Sequence, residues 1–139
     1  MNQGPDLPSR GARLLIVDDS ADNREIMEVM LQWEGFVTLT ASTGEEGLAC
    51  AAEYQPDLML LDFVLPGLSG CEVVTRMKSD LSTKHIPILI LSGVSDSASR
   101  TRALSAGAAD FLMKPIARSA LCERVRNILG LKAAAAGVA

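Results

Sequence analysis

Short apolar runs alternate along this chain with longer stretches in which apolar residues recur every three or four positions. Strands bury either every second residue or an unbroken run, whereas helices bury a stripe of period 3.6. The alternation therefore predicts successive βα units around a parallel sheet. Five strands are expected, at residues 14–17, 36–40, 58–61, 88–91 and 111–113. The third and fourth, "LMLL" and "ILIL", are apolar on both faces, as strands covered by helices on each side are.

The first helix carries Ile26, Val29/Met30 and Trp33 at i, i+3/i+4, i+7, which makes them its expected buried face, with Trp33 as an anchor and Gly35 as the stop. Asp22 and Glu25 are spaced for a capping box at its start. Ser42-Thr43-Gly44-Glu45-Glu46 offers overlapping capping boxes to the second helix, and Pro56 follows its end. The third helix is expected over 69–78, opened by the loop Gly67-Leu68-Ser69-Gly70, and the last places Leu121, Val125 and Ile128/Leu129 on one face before Gly130. The fourth, near 95–105, is rich in serine and alanine and has little apolar surface beyond Leu104. It reads either as a weakly held, movable element or as a plain solvated helix.

Residues 1–12 contain Pro5, Pro8, Gly4 and Gly11 without periodicity, so a flexible lead-in is expected there; 131–139 reads as an alanine-rich tail, and 13–130 as one domain. The hydrophobic fraction of 48% is that of a globular chain, and there is no apolar run of membrane-spanning length and no signal-peptide centre, so a cytoplasmic location is expected. Cys50, Cys71 and Cys122 are odd in number and widely spaced, which argues against disulfides or thiolate zinc and for buried spectator thiols. A net charge of −4 without a Lys/Arg block excludes the usual nucleic-acid footprint and favours a protein partner or a small ion. His85, the single histidine, falls in a loop before the fourth strand and reads as solvated. The methionines, Met27, Met30, Met59 and Met113 among them, read as core filling.

The unusual polar residues all fall where strands end. Asp18 and Asp19 follow the first strand, Asp62 the third, Ser92 the fourth and Lys114 the fifth. In an open parallel sheet this carboxyl edge is where ligands bind. Adjacent carboxylates beside an apolar core lose hydration and repel each other, so they need a cation. Three of them make a hard oxygen site suited to Mg2+ or Mn2+ shared with phosphate oxygens. Lys114 and the Ser92 hydroxyl suit the remaining oxygens of a phosphoryl group, and Pro115 holds Lys114 extended. Each Asp alone is ordinarily a turn former or cap; five such groups at one edge are not explained that way.

The motifs "LLIVDDS", "LMLLDFVLPGLSG", "PILILSG" and "GAADFLMKP", in this order, resemble the receiver domain of two-component response regulators over about residues 13–130. The resemblance implies a flavodoxin-like (βα)5 doubly wound sandwich whose five-stranded parallel sheet has the order 2-1-3-4-5. It implies that Asp62 accepts a phosphoryl group from a phosphohistidine on a sensor histidine kinase or a histidine phosphotransfer protein. Asp19, Asp62 and the backbone carbonyl of Val64 would ligate the metal directly and Asp18 mainly through water. Ser92 and Lys114 would contact phosphoryl oxygens, with Phe111 as the aromatic switch. Phosphorylation would draw the Ser92 hydroxyl inward, let Phe111 turn, and repack the face of helix 4, strand 5 and helix 5, where a downstream target or a second copy would bind. On this reading the chain is a signalling domain that catalyses its own phosphorylation and slow dephosphorylation, rather than a conventional enzyme.

Two positions depart from the family's common pattern. Ser92 lacks the methyl of threonine, and Phe111 lacks the hydroxyl of tyrosine, so a mainly steric switch is expected. Val64 and Val94, which would flank the path of the hydrolytic water, cannot orient it, and slow dephosphorylation is expected. A Mg2+-dependent phosphohydrolase would share the nucleophile, metal and lysine, but Val64 stands where such enzymes commonly place an acid or base, and 139 residues leave no room for the cap domain they commonly carry. A pseudo-receiver would have lost an acidic or lysine position, and all are present. No Gly-rich nucleotide-binding motif occurs.

Overall fold

The computed structural model describes residues 11–93 and 97–131. Most of the expected lead-in and tail, and Val94, lie outside the described residues. The elements are β1 (Arg13–Val17), α1 (Ala21–Trp33), β2 (Val37–Ala41), α2 (Gly44–Tyr54), β3 (Leu58–Asp62), α3 (Gly70–Ser79), β4 (Ile88–Ser92), α4 (Ser97–Ala106), β5 (Asp110–Met113) and α5 (Arg118–Leu129). All strand pairs are parallel, in the order β2-β1-β3-β4-β5. This is the flavodoxin-like sandwich expected from the sequence.

Alternation of side chains along the strands divides the core into two layers. Leu14, Ile16, Leu58, Leu60, Leu89 and Leu91 pack with Met27 and Leu31 of α1 and Leu121, Cys122 and Val125 of α5. Leu15, Val17, Met59, Leu61, Ile88 and Ile90 pack on the other face with Val73, Val74 and Met77 of α3, Ala103 of α4, and Phe111. Glycine lets α2 lie close to the sheet: a Cβ at Gly47 would sit 2.9 Å from Val17 Cγ2. Registers Val17↔Leu61, Asp62↔Leu91 and Ser92↔Met113 align the strand ends, so the residues that follow them share one edge.

Several helix signals behave as expected. Thr43 caps α2, accepting from Glu46 N–H at 3.0 Å, while Ser42 N–H and hydroxyl both donate to Glu46 Oε1. Ser69 and Glu72 form a reciprocal capping box on α3, and Gly130 ends α5 in the left-handed conformation.

In α1 the expectation holds only at Met30, which packs partly buried against the core. Met27 and Leu31 are buried, whereas Ile26, Val29 and Trp33 are 52%, 62% and 78% exposed. Trp33 is no anchor. Both stripes have helical spacing; what decides between them is Phe36, buried just beyond Gly35, whose N–H bonds Leu31 O and draws the Met27/Leu31 side inward. The helix also begins earlier than the Asp22–Glu25 box would place it, because Ser20 is the N-cap and accepts from Asn23 N–H at 3.2 Å. In α4 the inward residues are Ser99 and Ala103, and Leu104 is exposed. Met113, expected in the core, is 46% exposed where β5 leaves the sheet. The thiols of Cys50, Cys71 and Cys122 are free, and only Cys122 is fully buried. His85 is exposed in its loop.

Candidate functional site

The site is assembled where the apolar strands stop. One residue beyond β1, Asp18 N–H still bonds Ala41 O at 3.1 Å, so the ladder with β2 carries Asp18 to the sheet's rim with its side chain 1% exposed. Its Oδ1 accepts from Ser20 N–H at 2.9 Å; its Oδ2 is buried and has no hydrogen-bond partner among the described residues. Asp19 projects beside it and is exposed. Asp62 ends β3, buried, with Oδ1 accepting from Val64 N–H at 3.2 Å and Oδ2 from Lys114 Nζ at 3.2 Å. Lys114 Nζ also lies 3.9 Å from Asp18 Oδ2.

Lys114 is held by its own backbone, whose N–H bonds Ser92 O at 2.8 Å, and the Lys114–Pro115 peptide bond is cis. Ser92 is fully buried at the end of β4. Phe111 is buried in the α3/α4 layer, while Arg124 of α5 donates to its carbonyl at 3.1 Å and to Asp110 at 3.2 Å. The backbone of β5 is thus tied to α5 independently of the Phe111 ring. Val64 is exposed, two residues beyond Asp62. Tight packing sets the loop that carries it: a Cβ at Gly70 would lie 2.6 Å from Phe63 O, and Gly70 N–H bonds that same oxygen at 2.9 Å.

Burial raises the Asp62 carboxyl above its ordinary pKa, and the neighbouring Asp18 charge adds to this. The Val64 N–H and the Lys114 ammonium oppose it. Asp18, Asp19 and Asp62 each bring a carboxylate oxygen to within 4.8 Å of the other two. A buried carboxylate oxygen without a hydrogen bond is costly unless something else satisfies it. Three hard anionic groups this close together, one of them with an orphaned buried oxygen, fit a divalent cation of the magnesium type.

All the predicted residues described are therefore brought together except Phe111, which lies one layer inward in the core. Two features went unread in the sequence. Arg24 reaches back from α1 to donate to Asp18 O at 2.7 Å. A cleft of about 240 Å³ opens beside the site, between Ile26 and Met30 of α1 and Pro115 and Ile116 after β5, and shares Asp18 and Lys114 with it. The apolar residues of α1 were legible, but not their orientation.

The description "Response regulator receiver domain" matches residues 14–126. "Response regulator PleD" of Caulobacter vibrioides is 39% identical over 121 residues, covering 87% of this chain and 27% of that protein. "Phosphate regulon transcriptional regulatory protein PhoB" of Pseudomonas aeruginosa is 37% identical, covering 86% of this chain and 52% of that protein. This chain thus spans a quarter to half the length of these relatives. Among solved structures, the chemotaxis response regulator CheY4 of Vibrio cholerae superposes with a TM-score of 0.80 at 29% identity, covering 85% of this chain and 98% of that one. The receiver domain of sensor histidine kinase PA1611 from Pseudomonas aeruginosa, solved with a magnesium ion coordinated in its active site cleft, also gives 0.80, at 27% identity, covering 86% and 98%. Strand order, the acidic trio facing a lysine at the sheet's edge, and these matches over nearly all the described chain agree: the protein belongs to the response regulator receiver domain family and is a phosphoaccepting domain of two-component signalling.

Proposed function

We propose that Asp62 is the phosphoacceptor and that this chain takes its phosphoryl group from a phosphohistidine on a sensor histidine kinase or histidine phosphotransfer protein. The observation that carries this is the position of Asp62 Oδ2, 3.2 Å from Lys114 Nζ and within the acidic trio. An oxygen of Asp62 bonds to phosphorus as the P–N bond to the donor's imidazole breaks, and the bonding pair leaves on the imidazole nitrogen. Asp18, Asp19, Asp62 and the Val64 carbonyl would hold Mg2+ or Mn2+, which supplies charge neutralisation for the carboxylate and the phosphoryl oxygens. Lys114 meets the negative charge on the transferred oxygens, and the Ser92 hydroxyl donates to another.

The switch follows from packing. Phe111 fills space beside Ala103 and Ile90 beneath the β4 end. When Ser92 is drawn toward phosphoryl oxygens, the ring gains room to turn, and α4, which holds on mainly through Ser99 and Ala103, shifts with little apolar loss. The face of α4, β5 and α5 is where a downstream target or a second copy would bind. Val64 and Val94 leave the hydrolytic water unoriented, so the acyl phosphate is long-lived. Among the described residues no helix is long and apolar enough to cross a membrane, and a cytoplasmic site of action fits the donor.

The test is intact mass after incubation with Mg2+ and acetyl phosphate. One phosphate on the parent and none on Asp62→Asn is expected. No adduct, or multiple-turnover phosphate release, overturns the proposal, and decay of the adduct within seconds overturns the long lifetime.

A further inference from the structure

We infer that Arg24 is a positioning residue for the metal site, setting the backbone from which two of its three carboxylates project. The inference rests on the proposed reading of Asp18, Asp19 and Asp62 as that site. Arg24 is anchored at its own backbone, where its N–H bonds Ser20 O at 3.0 Å in the first turn of α1. Its side chain runs back six residues, against the direction of the chain, and Nη1 donates to Asp18 O at 2.7 Å.

That carbonyl has a particular need. The β1–β2 ladder ends with Asp18 N–H on Ala41 O, and Ser42 N–H, just beyond Ala41, is turned away to Glu46 Oε1 at 2.7 Å. Asp18 O lies outside strand pairing and ahead of the helix, and a main-chain carbonyl beside a buried side chain requires a donor. Arg24 provides a charge-assisted one, short and directional. With N–H on Ala41, Oδ1 on Ser20 N–H and O on Arg24, Asp18 has its main chain and one carboxylate oxygen fixed. The remaining oxygen, Oδ2, is the one left facing Lys114 and the trio. The peptide that carries Asp18 O is also the amide of Asp19, so the same bond orients the second carboxylate.

This differs in sign from a simple charge effect. If Arg24 acted only as a cation near an acidic site, removing it would relieve repulsion and tighten Mg2+ binding. If it holds the ligands in place, removing it loosens binding, as loss of groups that orient metal ligands does, on the order of tenfold.

The experiment is calorimetric titration of Mg2+ into the unphosphorylated protein for the parent, Arg24→Gln and Arg24→Lys, with melting in EDTA to establish that each is folded, and acetyl phosphate uptake at saturating Mg2+. Arg24→Gln is expected to bind Mg2+ about tenfold more weakly. Arg24→Lys, which keeps the charge but not the reach of the guanidinium, falls between. Uptake at saturating Mg2+ recovers most of the parental rate. Affinity in Arg24→Gln equal to or tighter than the parent's overturns the inference. Should only Arg24→Lys fold, parental affinity in that variant overturns it. A parent that binds no Mg2+ at all refutes the metal site itself, an outcome distinct from Arg24 having no part in it.

Discussion

Replacing Lys114 by methionine removes the ammonium and keeps most of the apolar stem, so it largely isolates charge at the site. Nζ lies 3.2 Å from Asp62 Oδ2 and 3.9 Å from Asp18 Oδ2. At an effective dielectric of about 20, unit charges at these separations attract by roughly 4–5 kcal/mol each. Most of that is offset by the desolvation of the pair, and the Lys114 side chain is 29% exposed, so the net loss in the metal-free protein near pH 7 is expected to be about 1–2 kcal/mol. Urea unfolding in EDTA measures it. The loss must depend on pH. Burial keeps the folded pKa of Asp62 above its unfolded value, so its ionised form costs stability in full above the folded pKa; that cost fades as pH falls through the folded pKa toward the unfolded one. Losing Lys114 raises the Asp62 pKa further, so the gap between variant and parent is widest near neutrality and narrows on acidification through that window. Mg2+ affinity moves the opposite way and tightens by about tenfold, because a like charge has left the site. A stability loss of equal size at neutral and acid pH would assign the effect to packing, and an unchanged Mg2+ affinity would show that Lys114 is not electrically coupled to the carboxylates. Either result refutes the account.

Asp62→Asn should raise the stability of the metal-free protein near pH 7 in the same urea assay, since it removes a desolvated charge beside Asp18, and the gain should vanish at acid pH. Phe111→Ala should cost about 3–4 kcal/mol in urea unfolding, because the ring is 7% exposed within the α3/α4 layer. Ile26→Ser on the exposed side of α1 should change stability by no more than about 0.5 kcal/mol and leave acetyl phosphate uptake intact. It should slow phosphotransfer from a histidine-phosphorylated protein donor, measured by rapid-quench labelling.

The parts of the fold legible in the sequence were those where one residue type has one physical consequence. "LMLL" and "ILIL" could only be strands covered on both faces, and β3 and β4 are buried at every residue. Ser69 with Glu72 could be read as a cap because the geometry is local. The site was legible because charge after an apolar strand is costly, so Asp18, Asp62 and Lys114 marked one edge before any contact was known. What stayed hidden needed contacts across the chain. Arg24 bonds a main-chain carbonyl, and nothing in the identity of a helical arginine says which carbonyl it will reach. Leu104 and Met113 are apolar yet exposed, since composition does not reveal which way the last turn of a helix or the last residue of a strand points.

The misread face of α1 shows where this limit bears on function. Periodicity identifies a helix whenever a stripe repeats at 3.6, but α1 carries two stripes, Met27/Leu31 and Ile26/Val29/Trp33, and each satisfies it. Folding needs only the first, which closes the layer with Leu14, Ile16 and Phe36. The second stays largely exposed and contributes little to the stability of the isolated domain. Ile26 and Met30 also line the cleft that shares Asp18 and Lys114 with the acidic site. Any protein that brings a phosphoimidazole against Asp62 has to cover this rim. If Asp62 is the phosphoacceptor, an apolar strip there would add binding area for a protein donor at the point of transfer, and small phosphodonors, which cover nothing, would not use it. Ile26→Ser therefore separates the two donors: a defect confined to the protein donor places the recognition surface on α1, and equal defects with both would place the residue in the chemistry instead.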